Sequence, residues 1–146
     1  MKDNYGTRKP IETILEENEI KILEVLEIIS EASENGLIII VEGKRDKKAL
    51  ESLGIHGKII ILNERNKRLV DQAEKILNEC ISKEILILFD FDREGVRLYK
   101  ELKLYLNGAN IKVREDLRLK LKHTMKDIRC IEELIRIRRK IYEWEE

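Results

Sequence analysis

The sequence predicts an α/β protein built in three layers, with helices on both faces of a four-stranded, mainly parallel sheet. Three observations lead there. Short, wholly apolar runs such as Leu37–Val41 and Ile85–Phe89 are too unbroken for strands with one wet face. Amphipathic stretches of helical period separate them. Two of the runs end in carboxylates, Glu42 and Asp90, each followed within five residues by a glycine. Ligands of open α/β sheets bind at that end of the strands.

Along the chain, the first ten residues are polar, and Pro10 suits an opening helical turn. Ile11, Leu15, Ile22, Leu26 and Ile29 then recur at helical intervals until Asn35-Gly36, which predicts a left-handed stop. Strand one is Leu37–Glu42, with a short helix from Asp46 to about Leu53. Gly54 and Gly57 bracket a turn that contains His56. Strand two is Lys58–Leu62, and Asn63–Asn66 forms a loop. A helix from about Lys67 to Cys80 turns Leu69, Val70, Ala73, Ile76 and Leu77 inward. Strand three is Glu84–Phe89, followed by a helix from Arg93 to Leu106 that ends at Asn107-Gly108. Strand four lies near Ile111–Val113. Leu117, Leu119 and Leu121 alternate with cations, yet Leu, Arg and Lys favour a helix entered through Glu115-Asp116. Asp127–Cys130 reads as a short extra strand, and Glu132–Trp144 as a helix. Residues 1–36 are thus a tail and a helix packing on the core, and 37–146 the main domain with a helical extension.

Composition narrows the class. The chain has 146 residues, 42% hydrophobic and 40% charged, enough for one globular domain without disulfide staples. Lys+Arg and Asp+Glu each number 29, so net charge points to no acidic or basic partner. Cys80 and Cys130 form no Cys-x-x-Cys pair and read as reduced packing residues. No run approaches the ~18 apolar residues of a membrane span. The opening Met1–Gly6 lacks an apolar signal core. A soluble, cytoplasmic protein with no membrane partner is expected.

Glu42, Asp90 and Asp92 carry the chemistry. Residues two apart on a strand share a side, so Asp90 and Asp92 can grip one cation where the chain turns. Glu42 joins them only if strands one and three are neighbours, which predicts the sheet order 2-1-3-4, with the acids at its switch point. Oxygen-only donors suit Mg²⁺, or Mn²⁺, and disfavour zinc. Crowding should raise at least one pKa, and Glu42 is the candidate for moving a proton. Lys44, Arg45 and Arg93 stand where they could hold phosphate oxygens, while Gly43 and Gly95 let backbone approach a ligand. Surface ion pairs would have to reproduce both motifs by accident.

These motifs resemble the Toprim domain of topoisomerases, bacterial-type primases, overcoming-lysogenization-defect nucleases, recombination mediators and small ribosomal-RNA-maturing ribonucleases. Val41-Glu42-Gly43-Lys44-Arg45-Asp46 looks like the Glu-Gly-x-x-Asp start of the primases and small ribonucleases. Asp90-Phe91-Asp92-Arg93-Glu94-Gly95 looks like the type IA topoisomerase run, although Val96 replaces its second glutamate. The likeness covers 37–113. It implies a Toprim (Rossmann-like) fold, Glu42 as general acid/base and Asp90 with Asp92 as Mg²⁺ ligands; Asp46 could contribute or simply cap its helix. The chain has no room for a topoisomerase gate, and no zinc module of the primase or mediator kind. It therefore resembles most the small ribonucleases and the uncharacterised stand-alone Toprim proteins of archaea and bacteria.

The expected function is a Mg²⁺-dependent nuclease or related phosphotransferase acting on RNA or DNA. The alternative is a non-catalytic module binding nucleic acid or protein, and a third reading is chemistry on a small nucleotide. Lys112, Arg114, Arg118, Lys120, Lys122, Lys126 and Arg129, with Arg136, Arg138, Arg139 and Lys140, either track a phosphate backbone or form a solvated face with acidic partners. Protein partners and homo-oligomers stay open.

Overall fold

The computed structural model describes residues 16–62, 68–80, 84–107, 109 and 111–145. The order is α1 (Glu17–Glu34), β1 (Ile38–Val41), α2 (Lys44–Ser52), β2 (Ile59–Ile61), α3 (Leu69–Glu79), β3 (Glu84–Ile87), α4 (Arg93–Leu106), β4 (Lys112–Val113) and α5 (Glu115–Met125). A 3₁₀ turn (Ile131–Leu134) then leads into α6 (Ile135–Glu145). The four strands form one parallel sheet in the order β2-β1-β3-β4, as the meeting of the acids requires.

Strand periodicity divides the core into two layers. In β1, Ile39 and Val41 face one side and Ile38 and Ile40 the other; after β3 begins, Leu86 and Leu88 oppose Ile85, Ile87 and Phe89 in the same way. One layer is completed by Ile22, Val25, Leu26 and Ile29 of α1, Leu117, Leu121 and Met125 of α5, and Ile131, Leu134 and Ile137 beyond it. Ala73 and Ile76 of α3, with Tyr99, Leu102 and Leu106 of α4, fill the second layer. Each isoleucine or leucine buried this way contributes about 1.5–3 kcal/mol relative to leaving it exposed. That gain holds an acid-bearing sheet edge in place despite the repulsion there.

Helix α1 ends where Asn35-Gly36 was expected to stop it: Gly36 takes φ +106°, which a side chain would resist. Residues 1–15 and 63–67, where the opening helical turn and the loop after strand two were expected, lie outside the described residues, as does Gly108. Four expectations need correction. Helix α2 begins at Lys44 rather than Asp46, because Asp46 reaches back from the first turn to accept the Gly43 N–H at 3.2 Å. Val70 is exposed rather than inward, since the buried stripe of α3 runs through Ala73 and Ile76. Asp127–Cys130 is a connector outside the sheet. The last helix opens with a 3₁₀ turn, and α6 proper starts at Ile135.

Candidate active site at the carboxyl edge of the sheet

The parallel ladder itself delivers Glu42 to the aspartates. Leu88 N–H donates to the Ile40 carbonyl at 2.8 Å, and at the same spacing the Asp90 N–H donates to Glu42 Oε1 at 3.1 Å. A carboxylate thus takes over from the main chain just past the sheet's end. The link spans 48 residues and brings two separate motifs into contact.

Each acid is anchored by one oxygen to a backbone donor. Asp90 Oδ1 accepts the Ile131 N–H at 3.0 Å. Asp92 is the N-cap of α4, its Oδ1 accepting from Gly95 N–H at 2.7 Å. Asp46 is held by Gly43, as described. Among the described residues, no cation pairs with Glu42, Asp46, Asp90 or Asp92. The second oxygen of each carboxylate has no hydrogen-bond donor among the described residues either.

Electrostatics follow from that arrangement. Burial raises the Glu42 pKa, and repulsion from Asp90, Asp46 and Asp92 adds to it against the pull of the Asp90 N–H. Asp46 is pushed up to about 6, first by burial and then by Asp90 and Glu132, against the Gly43 N–H. Burial also lifts Asp90; the Ile131 N–H lowers it, while Asp92, Glu132 and Glu133 raise it. Four half-buried carboxylates with no cation paired to them among the described residues form a site short of positive charge. Its all-oxygen donor set fits Mg²⁺ or Mn²⁺. No three acidic, histidine or cysteine side chains among the described residues converge into a finished metal cage. The oxygens left free would have to turn inward.

Lys44 and Arg45 are exposed on the first turn of α2, and Arg93 is exposed at the start of α4, flanking the acids. Gly43, at the N-cap of α2, has space around it, whereas Gly95 is enclosed. Arg93 lines a groove of about 420 Å³ beside Asp92, together with Phe91, Val96, Arg97 and Lys100. His56 and His123 are exposed.

The basic C-terminal third is less uniform than its sequence. Arg118 is buried, its guanidinium 3.9 Å from the Tyr99 ring centre and 5.0 Å from that of Phe91. Burial lowers its pKa, and it does not track a surface. Arg114 is occupied by Glu84 and Asp116, each at 2.8 Å, and Lys140 by Glu19 at 2.8 Å. Lys112, Lys120, Lys122, Lys126, Arg129, Arg136, Arg138 and Arg139 remain exposed.

Glu132 and Glu133, which sequence reasoning did not place at the site, both raise the Asp90 pKa. No motif marks them, because the chain returns to the site through a tertiary contact. Cys130, which precedes them in the chain, has its thiol pushed up to about 11 by burial, by Asp90 and by Glu133.

Comparisons with known proteins agree with this fold. The sequence profile of the Toprim domain matches residues 36–115, from β1 to the start of α5. The UPF0292 protein of Thermococcus gammatolerans is 40% identical over 110 residues, covering 75% of this chain and 79% of that one. The UPF0292 protein of Pyrococcus abyssi is 41% identical over 108 residues, covering 73% and 78%. The relative from Methanocaldococcus jannaschii is 39% identical over 116 residues, covering 78% and 87%. A solved protein from Aquifex aeolicus superposes with a TM-score of 0.61 at 33% identity, covering 75% of this chain and 94% of the other. This chain belongs to the Toprim domain family.

Proposed function

We propose that the protein is a Mg²⁺-dependent nuclease, or a related phosphotransferase, acting on RNA or DNA phosphodiesters in the cytoplasm. The hydrogen bond from Asp90 N–H to Glu42 Oε1 carries the reading, because it joins the two acidic motifs at the open edge of the sheet. Asp90 and Asp92 would hold Mg²⁺, or Mn²⁺ in its place, with Glu42 beside them. When bound, the ion supplies charge neutralisation to a phosphodiester and lowers the pKa of a coordinated water. Glu42 keeps a proton to higher pH than an ordinary glutamate, which suits it to protonate a leaving oxygen and then act as a base. Lys44, Arg45 and Arg93 meet phosphate oxygens, and Gly43 leaves room for the backbone to approach them.

A second reading is a non-catalytic module that binds nucleic acid or another protein. It is favoured by the helix-capping work of Asp46 and Asp92, which gives both residues a purpose without a metal. A panel of single-stranded, duplex and structured RNA, DNA and free nucleotides, each with Mg²⁺ or Mn²⁺, separates the readings. The nuclease reading expects divalent-dependent cleavage that disappears in Glu42→Gln and Asp90→Asn. Salt-sensitive binding with no cleavage of any substrate supports the second reading. Cleavage that survives both substitutions refutes the assignment of the site.

A further inference from the structure

The acidic loop is held from outside the stretch that matches the Toprim profile. Three contacts from beyond residue 115 converge on Asp90 and Phe91. Arg118 of α5 lies over the Phe91 ring at 5.0 Å. The Arg129 carbonyl accepts the Phe91 N–H at 2.7 Å. Ile131 N–H donates to Asp90 Oδ1 at 3.0 Å. To bring the connector back, the chain reverses at Lys126, which takes φ +53°, a conformation that side chains resist and that the surrounding contacts must sustain. Ile131 and Leu134 are fully buried against the core and so fix the far end of the connector.

We propose that the connector from Ile128 to Ile131 is a built-in positioning device for Asp90, with the Ile131 N–H as its working group. The N–H engages one carboxylate oxygen and fixes the side chain's rotation, so the second oxygen is presented without an ordering cost when a ligand arrives. Phe91, pinned on both its backbone and its ring, keeps Asp90 and Asp92 at a constant separation. A loop of acids that repel one another would otherwise spread. The inference rests on the metal reading given above.

Ile131→Pro removes that donor at a position suited to proline: it opens a helical turn, and Cys130 before it is already extended at φ −106°, ψ 132°. Ile131→Ala removes the same buried side chain but keeps the N–H, so the pair isolates the hydrogen bond from the packing. In Mg²⁺ titrations, Ile131→Pro is expected to bind at least ~10-fold more weakly than Ile131→Ala. Affinities for the two variants that agree within about twofold overturn the inference, because the N–H then contributes nothing beyond its side chain. Should Ile131→Pro fail to fold, the wild-type amide resonance of Ile131 is followed during the same titration. It is expected to shift in step with saturation, and a stationary signal while Mg²⁺ binds overturns the proposal. Wild-type protein that takes up no Mg²⁺ overturns the metal reading itself, an outcome distinct from equal binding by the two variants.

Discussion

Gly95 lies so close to the Asp90 backbone that a Cβ on it would stand 2.0 Å from the Asp90 carbonyl oxygen and 2.8 Å from its carbon. The glycine therefore lets α4 start directly against the acidic loop, and its N–H reaches Asp92 Oδ1 from that position. Gly95→Ala is expected to destabilise the fold by about 1–3 kcal/mol or more, because backbone must shift to relieve the overlap. Urea denaturation measures this. A loss below ~0.5 kcal/mol contradicts so tight an approach.

The raised carboxylates make a pH prediction with a definite sign. Asp46 has its folded pKa pushed up to about 6, above the 3.8 of an ordinary aspartate. Below the lower value both states are protonated and the group costs nothing. As pH rises between the two, the unfolded chain releases its proton first, so stability falls and the deficit is complete above the folded pKa. Asp46→Asn removes the charge while its amide oxygen can still accept the Gly43 N–H. The variant should melt higher than wild type at pH 7.5, with the difference vanishing near pH 4. An equal or lower melting temperature at pH 7.5 contradicts the repulsion. Carboxylates such as Asp116, held down to about 2 by Arg114, act in the opposite direction, so only the difference between variant and wild type is diagnostic.

Arg118 tests whether a buried cation stabilises its surroundings. Its Nε and Nη2 lack any described hydrogen-bond partner. Unpaired buried donors cost about 1–3 kcal/mol each, against roughly 0.5–2 kcal/mol gained from each ring contact. The terms nearly cancel. Arg118→Met, which fills similar volume, is expected within about 1 kcal/mol of wild type by urea denaturation. Arg118→Ala leaves a cavity and should cost about 2 kcal/mol or more. A Met variant as damaged as the Ala variant means the guanidinium itself carries the stability.

How much of this was legible follows from where each signal resides. The sheet order was readable because Glu42 and Asp90 had a reason to meet, and only one order lets the switch point form between their strands. Helix α4 was readable to its ends, from Asp92 at the N-cap to Asn107 after the last apolar turn. Arg118 looked like one more surface cation because its alternating neighbours conceal which side faces the core. Burial between Tyr99 and Phe91 depends on residues far away in sequence. The connector around Arg129 looked like a strand for the same reason. It is extended and its main chain does pair with the loop after β3, but through single hydrogen bonds instead of a ladder. The roles of Ile131, Glu132 and Glu133 near the acids follow from that tertiary return and leave no local trace.

The most direct test of the acidic centre is a Mn²⁺ titration followed by the ion's electron paramagnetic resonance. Wild type is compared with Asp90→Asn and Asp92→Asn, whose amide oxygens can still accept the Ile131 and Gly95 N–H groups. Saturable binding in wild type, weakened ~10-fold or more in both variants while their melting temperatures hold, is the predicted result. Undiminished uptake in both variants, or none in wild type, contradicts a metal centre built on these aspartates.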